Sequence, residues 1–228
     1  MKISVIIPFK NDYLQLKESL LSLARQNFLD WQLLAVDMGS VDGSRALVKS
    51  FGPERDCLLV NKPDKQKFAA INEGLREASG DYIYILEPGD RFLVADGLSQ
   101  IATASKGLTL VLLSYELSSS GEQGRFDKSK LFLGQSYLLA EEFPLCALFW
   151  TKSFLFEAGG FDETYLLCAQ KLLLAHAFKA LTIKDVALLD EALVVRDAGN
   201  FAYIFECGPI LASENRRAIR RQAADFKG

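Results

Sequence analysis

The stretch ISVIIPFKN, residues 3–11, decides the fold that this sequence predicts. Its apolar β-branched run has the length of a buried strand, Pro8 closes the run, and polar residues follow at once. Residues 13–26 then carry leucines at helical spacing, which predicts a helix. Beyond it, the pattern predicts strands at 31–36, 57–60 and 82–86, a helix at 45–51 capped by Ser44, and a helix at 68–78.

Strands that alternate with helices and are almost continuously apolar are typical of a parallel sheet covered on both faces. Such sheets bind ligands beyond the carboxyl ends of their strands. Polar clusters follow three of the predicted strands, at 10–12 (KND), 37–40 (DMGS) and 87–90 (EPGD). The sequence therefore predicts one crevice where these clusters meet. No G-x-G-x-x-G and no P-loop follows a strand, which argues against a dinucleotide enzyme or an NTPase.

Composition excludes several other classes of protein. The 228 residues suffice for one well-buried domain, and the net charge of −3 provides no basic field that would recruit nucleic acid. A single histidine, His176, excludes a site built from several histidines. The four cysteines have no C-x-x-C spacing, which predicts reduced thiols in an intracellular protein: Cys57, Cys146, Cys168 and Cys207.

The two ends of the chain bear on its location. The apolar run at the start is too short for a signal peptide or a membrane span, which predicts a cytoplasmic protein that touches a membrane at most at its inner face. Near the other end, four arginines fall on one side of a predicted helix: Arg216, Arg217, Arg220 and Arg221. They form either a solvated helix end or a basic face that contacts anionic lipid.

Five segments, in this order, resemble the family 2 glycosyltransferases: SVIIPFKN (4–11), VDMGSVDGS (36–44), AINEGL with ASGDYI (70–75 and 78–83), LEPGD (86–90) and EAGGFDE (157–163). The resemblance implies an α/β protein with the GT-A fold, in which helices flank a Rossmann-like, mainly parallel sheet. It implies one domain, with a donor-binding half at 1–105 and an acceptor-side half with a C-terminal helix at 106–228. The implied activity is transfer of a sugar, with inversion, from a nucleotide-diphosphate donor, with UDP favoured, to a glycan or lipid-linked acceptor in polysaccharide biosynthesis.

The resemblance also implies roles for individual residues. Asp37 would accept a hydrogen bond from uracil, Glu87 would hold the ribose hydroxyls or support a metal, and Asp90 would bind Mn²⁺ or Mg²⁺, which prefer oxygen ligands. The other implied donor-binding residues are Pro8, Lys10, Asn11, Gly39, Asn72 and Arg196. Simpler alternatives stay open, since Asp37 could only cap a turn and 87–90 could be an ordinary Pro-Gly turn.

Several positions depart from the family pattern. Met38 and Gly89 replace two of its carboxylates, and Ala169 and Gln170 fall where relatives carry a Glu-Asp pair that includes the general base. Loss of a positioned base typically slows a reaction about 10²–10⁴-fold. Glu163 is the nearest substitute, although it could simply begin a helix. Two hypotheses follow: a glycosyltransferase, or a pseudoenzyme that binds a nucleotide sugar and partners an active transferase.

Overall fold

The fold is that of a computed structural model, which describes residues 1–52, 56–127, 130, 143–197, 213, 214 and 217. Within these residues the strands are β1 (Ile3–Phe9), β2 (Trp31–Asp37), β3 (Cys57–Asn61), β4 (Tyr82–Ile85), β5 (Arg91–Phe92), β6 (Leu110–Leu117), β7 (Gln123–Gly124), β8 (Leu148–Thr151) and β9 (Val186–Arg196). The helices are α1 (Tyr13–Ala24), α2 (Ser44–Phe51), α3 (Lys67–Glu77), α4 (Gly97–Ala104), α5 (Lys152–Glu157) and α6 (Ala169–Ala180), with a 3-10 helix at Leu145–Ala147.

The described strands form one sheet in the order β3-β2-β1-β4-β8-β6-β9-β5, and β7 pairs with β6. The four strands from β3 to β4 run parallel, β8 runs antiparallel to both of its neighbours, and β6 is parallel to β9. Every residue of β1, β2 and β4 is buried, because helices flank the sheet. The predicted fold class, a mainly parallel α/β sheet with flanking helices, is confirmed.

Two local predictions need correction. Strand β1 continues through Pro8 to Phe9, since Pro8 faces Val36 on β2, whereas pairing with β4 ends at Ile6. The N-cap of α2 is Gly43 at φ 97°, a left-handed conformation that glycine adopts without strain. Ser44 is instead the first helical residue.

The direction of the parallel strands determines where the loops that follow them lie. Strands β1, β2 and β3 end together at Phe9, Asp37 and Asn61, and β4 ends at the same edge of the sheet. The loops that follow them are therefore neighbours, although they are distant in the chain. None of the described helices is long and apolar enough to cross a membrane.

Candidate functional site

A cavity of about 670 Å³ opens at this edge of the sheet. Five of the residues named from the sequence line it: Pro8, Lys10, Glu87, Asp90 and Arg196. Five others lie outside the lining of this cavity as the structure describes it: Asn11, Asp37, Gly39, Asn72 and Glu163. The volume is in the range of small-molecule sites, and charged groups of both signs line the wall.

Asp90 is the most buried carboxylate of the cavity wall, with 2% of its surface exposed. Its Oδ1 accepts a hydrogen bond from the backbone N–H of Asp197 at 2.9 Å. Burial, and then the nearby charge of Glu87, raise its pKa to about 7, although hydrogen bonds from Asp197 and the Cys146 thiol oppose the rise. The site therefore holds a carboxyl group whose negative charge is disfavoured.

Asp197, which was not predicted from the sequence, lies against the position of the missing family carboxylate. Gly89 has φ 95°, and a Cβ atom built on it would collide with the Asp197 carboxylate. The Ser118 hydroxyl donates a hydrogen bond to Asp197 Oδ1 at 3.2 Å. The sequence did contain one signal for Asp197, since this aspartate directly follows the apolar end of β9 and Arg196.

Lys67 was also missed. It lines the cavity, and its Nζ lies 3.0 Å from Oε1 of Glu87 in an ion pair. The carboxylate of Glu87, to which the family resemblance gave a role toward the ribose or the metal, is thus already paired with a lysine. Lys67 lies outside the five matching segments, so the resemblance could not identify it.

Asp37 and Asn11 shape the turn that follows β2. Oδ1 of Asp37 accepts hydrogen bonds from the N–H groups of Gly39 and Ser40 at 3.1 and 2.8 Å. Its Oδ2 is buried 3.7 Å from Nε of Arg45, with no hydrogen-bond partner. Asn11, at φ 57°, receives the N–H of Val41 on its Oδ1 at 2.8 Å. These contacts match the turn-capping alternative and hold the loop that brings Met38 to the cavity.

Asn72 ties α3 to the segment that follows α5. Its Nδ2 donates to the carbonyl of Phe161 at 2.8 Å, and its Oδ1 accepts the N–H of the same residue at 2.9 Å. Its Nδ2 also lies 3.0 Å from Oε1 of Glu163. The prediction that Glu163 could begin a helix is wrong, because α6 begins at Ala169.

Gln170 lines the cavity, and the resemblance to the family places the acid pair at this position and at Ala169. Its Oε1 is buried and has no hydrogen-bond partner. An amide in this place can bind a hydroxyl group but cannot accept its proton. The neighbouring Ala169 is fully buried and carries no polar group.

Two described residues from the C-terminal part of the chain, Glu214 and Arg217, contact the same wall. Oε1 and Oε2 of Glu214 accept the N–H groups of Leu166 and Leu167 at 2.6 and 3.0 Å. Arg217 donates to the carbonyl of Thr164 at 2.6 Å and stacks 4.0 Å from the centre of the Tyr165 ring. The remaining arginines of the basic tail, Arg216, Arg220 and Arg221, lie outside the described residues, as does Cys207.

The surroundings of the Cys168 thiol disfavour its ionised form. Burial, and then the charge of Glu214, raise its pKa to about 12, so the nucleophilic thiolate is scarce. Among the side chains that the structure describes, no three of the types His, Cys, Asp and Glu are arranged to hold a metal ion.

Comparison with known proteins begins with a family model. Residues 4–157, more than half of the chain, match the model described as glycosyl transferase family 2. The putative glycosyltransferase EpsE of Bacillus subtilis is 35% identical over 85 residues, which are 36% of this chain and 31% of that protein. The Escherichia coli UDP-Glc:alpha-D-GlcNAc-diphosphoundecaprenol beta-1,3-glucosyltransferase WfgD is 30% identical over 116 residues, 50% of this chain and 46% of that protein. The chain thus matches less than half the length of either relative.

Solved structures agree on the fold. Staphylococcus aureus TarS in complex with UDP-GlcNAc superposes with a TM-score of 0.72 at 18% identity, over 86% of this chain and 58% of that chain. The mannosyltransferase PcManGT from Pyrobaculum calidifontis, in complex with GDP-Man and Mn²⁺, superposes with a TM-score of 0.66 at 18% identity, over 98% and 73%. At this identity the likeness concerns the fold alone.

Proposed function

The chain belongs to glycosyl transferase family 2, and on that premise we propose that its cavity binds a nucleotide-diphosphate sugar, with UDP favoured, and transfers the sugar to an acceptor hydroxyl. One observation carries the proposal. The cavity lies at the carboxyl ends of the parallel strands, and the loop after β4 brings Glu87 and Asp90 to its wall. A donor-binding half at 1–105 and an acceptor half at 106–228 stay predictions.

The relatives favour this donor class. WfgD is named for a UDP-Glc donor, TarS was solved with UDP-GlcNAc and PcManGT with GDP-Man. A lipid-linked or glycan acceptor is proposed by analogy with WfgD, whose named acceptor is a diphosphoundecaprenol. Peripheral contact with the inner face of a membrane, through the arginine-rich tail, remains a prediction.

A divalent cation, Mn²⁺ or Mg²⁺, fits the site only when it is shared with the donor. Asp90 and Asp197, which both line the cavity, would hold it. The charge of Glu87 helps to raise the pKa of Asp90, and a cation between these groups would relieve that repulsion. The described side chains cannot complete a coordination shell, so diphosphate oxygens would supply the remaining ligands. When bound, the cation would neutralise the departing diphosphate.

Inversion requires a group that removes the acceptor proton. Gln170 can accept a hydrogen bond from the acceptor hydroxyl through its buried Oε1 and so orient it. Glu163 lies outside the cavity lining and is bonded to Asn72, so it can act as base only after this segment moves. The chain is therefore proposed to be a slow enzyme at its acceptor step.

A second candidate function is favoured by the same glutamine. A nucleotide-sugar-binding pseudoenzyme would keep the donor cavity and lose the base, and the presence of Asp90 together with an amide at Gln170 supports this candidate. Such a protein would act as a partner or regulator of an active transferase.

Calorimetric titration with UDP-glucose, UDP-GlcNAc and GDP-mannose, with and without Mn²⁺, tests both candidates, followed by a donor-hydrolysis assay. We expect binding of at least one donor and slow hydrolysis. Binding without any turnover would select the pseudoenzyme. If no donor binds under any condition, both candidates are refuted.

A further inference from the structure

The ion pair between Lys67 and Glu87 spans part of the proposed donor cavity. The Nζ–Oε1 distance is 3.0 Å, and the two side chains keep 31% and 22% of their surface exposed. Both residues line the cavity, and Nζ also lies 5.1 Å from the centre of the Phe68 ring. The ammonium group is therefore inside the site but still reachable by solvent or ligand.

Charge balance gives this lysine a role. The cavity is lined by five carboxylates (Asp12, Asp64, Glu87, Asp90 and Asp197) and by five cations (Lys10, Lys65, Lys67, Lys171 and Arg196), so a diphosphate would add negative charge to a wall whose charges are otherwise matched. Like charges gathered on one cavity wall repel one another, and the diphosphate would add to that repulsion. A bound diphosphate therefore needs positive charge from the protein as well as from any cation.

Lys67 is suited to provide that charge. The partner of Lys67 is a single carboxylate at a partly exposed position, where ion pairs contribute little to stability. A phosphate oxygen offers the ammonium a stronger charge-assisted hydrogen bond, and the flexible lysine stem allows it to move.

We propose that Lys67 binds the donor diphosphate by exchanging its partner, Glu87, for a phosphate oxygen. This inference rests on the proposed donor function and adds a residue to it. The exchange frees Glu87 for the sugar or ribose side of the same ligand. No covalent step is involved, and the net change is one ion pair replaced by another.

The chain contains a matched control in Lys62. Its Nζ lies 3.2 Å from Oε2 of Glu73, and these side chains are 39% and 18% exposed, close to the values of the Lys67 pair. Neither Lys62 nor Glu73 lines the cavity. Lys62→Gln therefore removes the same charge and the same kind of ion pair five positions away, outside the site.

The test compares wild type, Lys67→Gln, Lys67→Arg and Lys62→Gln. Calorimetry measures the affinity for UDP, or for GDP if it binds more tightly, and saturation-transfer NMR measures binding of the matching nucleoside. We expect Lys67→Gln to weaken nucleotide binding about tenfold or more, with a shallower salt dependence, and to leave nucleoside binding within about twofold. Lys67→Arg should restore most of the affinity, and Lys62→Gln should resemble wild type.

The outcomes separate the two proposals. If Lys67→Gln binds the nucleotide as tightly as Lys62→Gln, Lys67 is not a phosphate-binding residue. The same conclusion follows if nucleotide and nucleoside weaken together, since the lysine would then act on the fold or on the base. If the wild-type protein binds neither UDP nor GDP, the donor function itself is wrong, and this inference is refuted with it.

Discussion

The backbone N–H of Asp197 donates a hydrogen bond of 2.9 Å to Oδ1 of Asp90 and joins residues 107 positions apart in the chain. The bond connects the loop after β4 to the end of β9. It also brings the Asp197 carboxylate against Gly89, where a second family carboxylate would otherwise stand. Both of these distant segments thus supply carboxylates to the site.

Gly89→Ala should destabilise the protein and weaken nucleotide binding. The new Cβ would collide with the Asp197 carboxylate, and φ 95° is strained for any residue with a side chain. We expect a loss of about 2–4 kcal/mol in the free energy of unfolding, measured with urea. Gly107→Ala is the control, because its φ is 74° and no atom lies within 4 Å of the new Cβ. Equal losses in the two variants would show that the Asp197 contact contributes nothing.

Asp90→Asn should change how stability depends on pH. The pKa of Asp90 is about 7 in the folded protein and 3.8 as its reference value, so only the unfolded chain ionises this group between those pH values. The folded state therefore loses stability as pH rises from about 4 to 7, by at most about 4 kcal/mol, since tenfold in ionisation corresponds to about 1.4 kcal/mol.

The Asp90→Asn variant lacks this titration. The difference between its free energy of unfolding and that of wild type should therefore grow in favour of the variant from about pH 4 to 7 and stay constant above about pH 7. Urea unfolding at pH 4, 5.5, 7 and 8 measures the difference. Asp96→Asn, at an exposed position, serves as the control. An Asp90→Asn curve parallel to wild type would contradict the raised pKa.

Asp90→Asn should also reduce the effect of Mn²⁺ on UDP binding. Removal of one anionic ligand leaves the cation with fewer oxygen donors beside the diphosphate. We expect Mn²⁺ to strengthen UDP binding about tenfold or more in wild type and less than about threefold in the variant, measured by calorimetry. Equal stimulation by Mn²⁺ in both proteins would remove Asp90 from the proposed cation site.

Asn72→Ala should cost about 2–3 kcal/mol of stability, because it removes both hydrogen bonds to Phe161 from a buried place. Asn27→Ala is the matched control, since the Asn27 side chain accepts one exposed hydrogen bond from Ser99, and it should cost less than about 1 kcal/mol. Thermal and urea unfolding measure both. The UDP affinity of the folded variant then tests the role implied by the family. If Asn72 binds the donor, its removal should weaken UDP binding, whereas if Asn72 only ties α3 to Phe161, UDP affinity should stay unchanged.

Glu214→Ala should loosen the part of the cavity wall formed by Leu166 and Leu167. The amides of Leu166 and Leu167 would lose their carboxylate partner. Their hydrogen exchange, followed by mass spectrometry of the peptide 164–168, should accelerate about tenfold, as expected for loss of about 1–2 kcal/mol of local stability. Glu77→Ala, at an exposed position on α3, should leave that peptide unchanged. Unaltered exchange in Glu214→Ala would mean that Glu214 does not hold this wall.

The sequence determined the architecture and the edge of the sheet where the site lies. Almost continuously apolar runs such as 3–7 predict burial on both faces, and the parallel strands that result end at the same edge of the sheet, so Lys10, Glu87 and Asp90 could be assigned to one crevice. The ordered motifs also identified the family, which the match over residues 4–157 confirms.

Only the tertiary structure decided which polar groups face the cavity. Asp37 and Asn72 lie at the expected loop and helix, but their atoms bond to Ser40 and Phe161, and a linear pattern does not record where a side chain finds its partner. Lys67 and Asp197 reach the site through contacts between segments far apart in the chain. Periodicity fixes which face of a strand is buried, whereas the partners of a charged side chain depend on distances that only packing sets.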